Sequence, residues 1–295
     1  MRSQFHGTIF NNAKLRCHSH AAFLAISAAV LAGTGVSAFA TVSDVGQYLA
    51  GKTAYYLQTG NSSPTIASSN PYEFQAEIGN GSSGSILTSS TLTPPAGATG
   101  SVTFTPNSGN NNIKYQQYYA STTALDAAFP NGNYAFTINT STPNTYSATL
   151  GLSGLTYPTD IPAISGATWS GGNLVIDPNV DNTISWNASN DLHLSFDLNN
   201  ANINESVFNS GGGLPSSYMI AANTLLPGQT YIGQLDFANG VLDTSQISGV
   251  MGAAYYQNST QFTIVTTPDP AAGILMLMGV VTLGLLARRR SVAQR

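Results

Sequence analysis

Charge is scarce in this 295-residue sequence: Asp, Glu, Lys and Arg make up only 7% of it, far below the usual quarter. The scarcity is lopsided. Between Thr41 and Thr267 the bases are Lys52 and Lys114 alone, against twelve acids. Binding to nucleic acid depends on neutralising phosphates, so that class of function is excluded. Cysteine is limited to Cys17, and histidine beyond residue 40 to His193. If the N-terminal segment is removed, no disulfide framework, zinc-cysteine site or cysteine nucleophile remains. No Gly-x-Ser-x-Gly elbow, His-Glu-x-x-His helix or phosphate loop is present either. The sequence therefore reads as non-enzymatic and without a cofactor.

What is there instead is Ser, Thr, Asn and Gln, with 29 Gly and 14 Pro, in a chain that is 42% apolar. That composition suits an extracellular β-rich protein with many turns. Short alternating or aromatic runs at 53–58, 72–78, 101–105 and 134–138 read as strands, as do 173–176, 183–186, 192–198, 218–221, 231–237 and 253–265. Clusters such as Asn61-Ser62-Ser63-Pro64 separate them. Helix is expected only over 42–49 and 123–129, a turn or two each. A break at 151–162 divides the runs. The predicted fold class is all-β: two immunoglobulin-like β-sandwich domains in tandem, 41–152 and 153–266, between an N-terminal signal helix and a C-terminal transmembrane helix.

One pattern occurs in both halves. Phe129-Pro130-Asn131-Gly132-Asn133-Tyr134 introduces one strand and Leu226-Pro227-Gly228-Gln229-Thr230-Tyr231 another. Where a chain turns between sheets, Pro and Gly supply the bend, and a tyrosine entering the next strand pins it through its hydroxyl to upstream backbone. Tyr134 and Tyr231 are the expected corner residues. The second copy is similar to the Leu-x-Pro-Gly-x-x-Tyr corner of fibronectin type III domains, displaced by one residue. Ile184 and Trp186 share a strand face, which makes Trp186 the expected large core residue of an early strand in the second half.

The two ends carry addressing signals. Arg2, Lys14 and Arg16 precede an apolar run at 21–36, and Ala38-Phe39-Ala40 offers small residues to a signal peptidase, so 1–40 reads as a signal peptide cut before Thr41. At the other end Thr267-Pro268-Asp269-Pro270 leads into 271–287 without a charge, followed by Arg288, Arg289 and Arg290. Seventeen residues at a helical rise reach roughly 25 Å, near the short limit for crossing a hydrocarbon core. Arginines inside at both ends demand one topology, with the intervening chain on the outer side. This three-part tail, 267–295, resembles the PEP-CTERM sorting signal of Gram-negative bacteria, with Asp269 where that family usually has Glu. The resemblance implies export, transient anchoring in the inner membrane, and processing by an exosortase in an organism that makes exopolysaccharide. A plain membrane anchor is the alternative.

Other candidates are weaker. Asp177, Asn179 and Asp181 place oxygens at alternate positions, as calcium loops do, but Asn182 and Ala188 stand where such loops need Gly and Glu. A hairpin turn is the preferred reading. His193 alternates with Leu192 and Leu194, which predicts a solvent-facing side chain. In each of Tyr55-Tyr56, Tyr118-Tyr119 and Tyr255-Tyr256, one ring should be core and the other exposed. Trp169, beside Ser170-Gly171-Gly172, is the candidate exposed platform for stacking on a sugar. The function these features favour is a structural or adhesive surface or matrix protein. The rivals are a glycan-binding or glycan-degrading accessory protein and an inner-membrane protein with a periplasmic domain.

Overall fold

The computed structural model describes residues 43–83, 86–98, 100–106, 112–142, 144–199, 201, 203–209 and 213–268. The expected signal helix within 1–40 and the expected transmembrane helix at 271–287 lie outside these residues. Among the described residues no helix is long and apolar enough to cross a membrane.

The first half contains β1 (Val45–Leu57), β2 (Thr65–Ile66), β3 (Tyr72–Asn80), β4 (Ser90–Thr93), β5 (Val102–Phe104) and β6 (Asn112–Tyr119). Then come helix α1 (Thr122–Ala128), β7 (Asn133–Asn139) and β8 (Thr145–Gly151). The second half contains β9 (Ile164–Ser165), β10 (Trp169–Ser170), β11 (Asn173–Ile176), β12 (Asn182–Trp186) and β13 (His193–Leu198). It closes with β14 (Ile203–Phe208), β15 (Ser217–Ile220), β16 (Thr230–Asp243) and β17 (Met251–Thr266).

The all-β expectation holds. The expected helix at 123–129 is α1, started by Ser121, whose side chain accepts from Ala124 N. Where a helix was expected at 42–49, residues 45–49 are instead the start of β1. That strand is buried on both faces along nearly its whole length, so the alternation that marks a half-exposed strand is missing from its sequence.

Ten strands form one large sheet along the path β14-β13-β16-β17-β1-β3-β6, with β2, β10 and β11 as side branches. Its centre is a parallel pair, β1 with β17, in register from Gln47↔Met251 to Leu57↔Gln261. Beyond the end of β1, strand β17 continues and pairs in parallel with β11, Leu174↔Ile264 to Ile176↔Thr266. Two small sheets, β5-β4-β7-β8 and β15-β12-β9, complete the fold.

Both small sheets pack on the same face of the large one, as alternation along β17 shows. Its even-numbered Ala254 and Tyr256 join a first core with Tyr48, Phe74, Tyr134 and Phe136, while Phe262 and Ile264 join a second with Trp186, Phe196 and Phe237. The first core is aromatic: Phe74 stacks on Phe129 at 3.9 Å, and Tyr48 meets Phe136 edge-on at 5.6 Å. Each such pair adds roughly 0.5–1.5 kcal/mol beyond burial. The connection after β8 crosses between the cores, tied to β17 by Asn258 Nδ2 donating to Pro158 O at 2.9 Å and Thr260 Oγ1 to Pro162 O at 2.6 Å.

Sheet-on-sheet packing thus matches a sandwich, but a cut at 152/153 does not separate the cores. The first core takes Ile247, Val250, Ala254 and Tyr256 from beyond it. The tandem arrangement gives way to one long sheet carrying a small sheet at either end. The physical cause is the length of β17, at 16 residues, which exceeds the usual strand and runs under both cores.

Candidate functional site

The fold opens and closes close to the two expected processing points. At its start, Ser83 N donates to Ser43 O, and the Asp44 carboxylate gathers hydrogen bonds from Ser83 Oγ (2.6 Å), Thr142 Oγ1 (2.7 Å), Asn144 Nδ2 (2.8 Å) and Tyr146 Oη (3.0 Å). The donors, Ser83 first, hold the Asp44 carboxyl well below the usual carboxylate range. At its end, Thr266 N donates to Gln229 O, Thr267 N donates to Ile176 O and Gly228 N donates to Thr267 O. Pro268, which has no N–H to extend a ladder, follows exposed. Ala38, Ala40, Thr41, Asp269, Pro270, Arg288, Arg289 and Arg290 lie outside the described residues.

Both proposed corners are hydrogen-bonded to upstream backbone, by opposite routes. Tyr134 Oη donates to Pro130 O at 2.7 Å, whereas Tyr231 Oη accepts from Leu226 N at 2.9 Å. Trp186 is buried, stacked on Phe196 at 5.4 Å, with Nε1 donating to Pro215 O at 2.8 Å.

Trp169 is not an exposed platform. It pairs with Leu174 across the β10–β11 hairpin and is half-buried against the second core, because the Ser170-Gly171-Gly172 turn folds it back. The Asp177 loop spends its oxygens internally: Asp177 Oδ1 accepts from Asn179 N and Nδ2, and Asp181 Oδ1 accepts from Ala222 N at 2.8 Å. This is the hydrogen bonding of an Asx-type turn. Among the described residues, no group of three or more His, Cys, Asp or Glu is placed to hold a metal ion.

The face of the large sheet opposite the two cores is polar, yet it is buried. Glu73 accepts from Tyr55 Oη and from Gln116 Nε2, and Glu77 accepts from Asn112 Nδ2 at 2.7 Å. Across the sheet, Ser195 Oγ donates to Asp236 Oδ2 at 2.9 Å and Gln234 Nε2 to Asp236 at 3.0 Å, with Asp197 one strand away on β13. Burial raises all four carboxyls. Asp197, which also feels the Asp236 charge, is pushed up to about 7.

His193 lies on this face at 3% exposure, its Nε2 2.7 Å from Ser206 Oγ, and burial lowers it to about 4. The solvent-facing expectation therefore fails. Alternation had correctly placed His193 opposite Leu194 and Phe196, but that opposite side is itself enclosed. Tyr255 and Tyr256 are both buried for the same reason, and Tyr55 with them, while Tyr118 at the edge is exposed. Sequence reasoning missed Lys52 and the four carboxyls, whose spacing is ordinary strand alternation with no local motif, and Asp44, whose partners lie 39 to 102 residues away.

A surface hollow of about 370 Å³ is lined by Gln58, Ser62, Ile164, Gly166 and Asn187 among others, and by no titratable side chain. It offers amides and backbone for binding but no acid, base or nucleophile.

No protein family matches the sequence, and no curated protein matches it. Among solved structures, the chain aligns with the crystal structure of chicken CNTN1 FN1-FN3 domains at 11% identity over 76% of its length, with a TM-score of 0.20. The alignment spans 66% of that chain, just under two thirds.

Proposed function

We propose that the chain is an exported, non-enzymatic protein of the cell surface or extracellular matrix, delivered through its PEP-CTERM-like tail. The observation that carries this reading is the closure of the fold at Thr267, immediately before Pro268. Among the described residues, those that either core uses end at Ile264, upstream of Pro268. A signal peptidase acts first at Ala38-Phe39-Ala40, the inner membrane holds 271–287 transiently, and an exosortase then releases or transfers the chain. The destination is a surface layer or matrix linked to exopolysaccharide, where the role is structural or adhesive.

Intact mass of the surface fraction tests this. In the native host the protein should begin at Thr41 and lack 271–295; in a host without an exosortase it should keep both the helix and Arg288–Arg290 and stay membrane-bound. Replacing Pro268 and Pro270 with Ala should stop release, because the prolines hold the motif extended and free of the helix. Full-length tail recovered from the native cell surface would leave only a plain anchor.

A further inference from the structure

Among the described residues Lys52 and Lys114 are the two that are Lys or Arg, and Lys52 is fully buried: its side chain is 0% exposed, on the core face of β1. Burial of an ammonium is costly unless it is paired, and Lys52 has two partners from one short stretch. Its Nζ lies 2.5 Å from Asp126 Oδ1, on α1, and donates to Asn131 Oδ1 at 2.8 Å, in the corner that precedes β7. Tyr256 Oη, from β17, also donates to Asn131 Oδ1, and Lys52 Nζ sits 5.3 Å from the centre of the Tyr256 ring. Two donors on one atom identify it as the carbonyl oxygen of the Asn131 amide.

We propose that Lys52 and Asn131 become joined by an intramolecular isopeptide bond, with Asp126 as proton carrier and Tyr256 as the donor to the developing oxyanion. Asp126 takes a proton from the Lys52 ammonium, and the freed lone pair of Nζ attacks Asn131 Cγ. The carbonyl electron pair moves onto Oδ1, where the Tyr256 hydroxyl holds it. Asp126 then relays the proton shed by the attacking nitrogen to Nδ2. The carbonyl re-forms, the Cγ–Nδ2 bond breaks, and ammonia leaves by the exposed side of Asn131, carrying the remaining proton as ammonium. One Nζ–Cγ bond forms and one Cγ–Nδ2 bond breaks. An ammonium and a carboxamide have become a secondary amide and an ammonium ion, with no oxidant or reductant involved.

The surroundings suit each role. Desolvation lowers the Lys52 pKa, which favours the neutral nucleophile, while its hydrogen bond to Asp126 works the other way. Burial raises Tyr256 to about 12, so its hydroxyl stays protonated and able to donate. Tyr157 packs edge-on against Tyr256 at 4.9 Å and helps fix that ring. The bond would close a loop across the 79-residue separation between β1 and the corner, in a stretch without cysteine.

Intact mass and tandem mass spectrometry of a chymotryptic digest of the full chain test this. The expected result is a protein lighter by one ammonia and a branched peptide joining residues 52 and 131. Asp126 is more than half exposed, so Asp126→Ala should keep the fold, checked by circular dichroism, while slowing bond formation roughly 100-fold or more. Asn131→Ala should restore the unmodified mass. Three outcomes overturn the proposal. An ammonia deficit with two linear peptides would be a succinimide at Asn131-Gly132, a water deficit with a branch at Asp126 would mean the wrong acyl partner, and an unmodified wild-type mass would leave only an ion pair.

Discussion

Asp197 and Asp236 occupy neighbouring strands on the enclosed face of the large sheet, and their burial couples protonation to folding. An acid whose pKa is higher folded than unfolded binds more protons when folded, so stability falls as pH rises between the two values. For Asp197 that window runs from its ordinary value of about 4 to about 7. Asp236, Glu73 and Glu77, raised by burial, act in the same direction. His193, held neutral, acts oppositely between about 4 and its ordinary value, but as one proton against four. Asp44, depressed by its donors, contributes stability that is present above its ordinary value and lost only in stronger acid. Tm should therefore be highest near pH 4 and fall towards pH 7, and Asp197→Asn should flatten the slope. A Tm that rises over that range in thermal melts would show these carboxyls to be solvated. The alternation that puts Ser195, Asp197 and His193 on one side of β13 is legible in the sequence. Their enclosure is not, because a period of two assigns a side chain to a face and is silent about what lies over that face.

At the scale of the strand, local chemistry was legible wherever a motif is short and punctuated. The Pro-Gly bends ahead of Tyr134 and Tyr231 are such cases, and so are the apolar runs that became β11, β12 and β13. The polar edge strands β6 and β14 were not: their Asn, Gln, Glu and Ser resemble loop composition, and only pairing with β3 and β13 makes them strands. Neither were the cross-strand glycine pairs. The Tyr255 ring lies over Gly51 on β1, where an added Cβ would come within 2.3 Å of it, and the Phe262 ring lies over Gly233 on β16, at 2.4 Å. Both rings are buried and have nowhere to turn. Gly51→Ala should accordingly cost about 1–3 kcal/mol through overpacking. Gly60→Ala is the control, since nothing lies within 4 Å of its added carbon. Equal urea midpoints for the two variants would disprove the close approach.

For the whole molecule, the decisive fact is that β17 serves both cores, with Ala254 and Tyr256 in the first and Phe262 and Ile264 in the second. Nothing in the sequence announces that the last strand lies beside the first, because pairing partners far apart leave no local trace; the division into two halves was legible, their fusion was not. Unfolding should consequently be one transition. Phe74→Ala in the first core and Phe196→Ala in the second should each shift the same midpoint, measured by fluorescence and circular dichroism together. Two resolved transitions would mean that the halves melt independently. The parallel register of β1 on β17 has a mechanical consequence as well. The strands run side by side through eleven residue pairs, so the chain enters at one end of the ladder and leaves at the other. Tension between a load at the head of the fold and a tether at its tail pulls the two strands lengthwise past each other. All of the ladder's hydrogen bonds then share the force at once, in shear, instead of opening one after another like a zip.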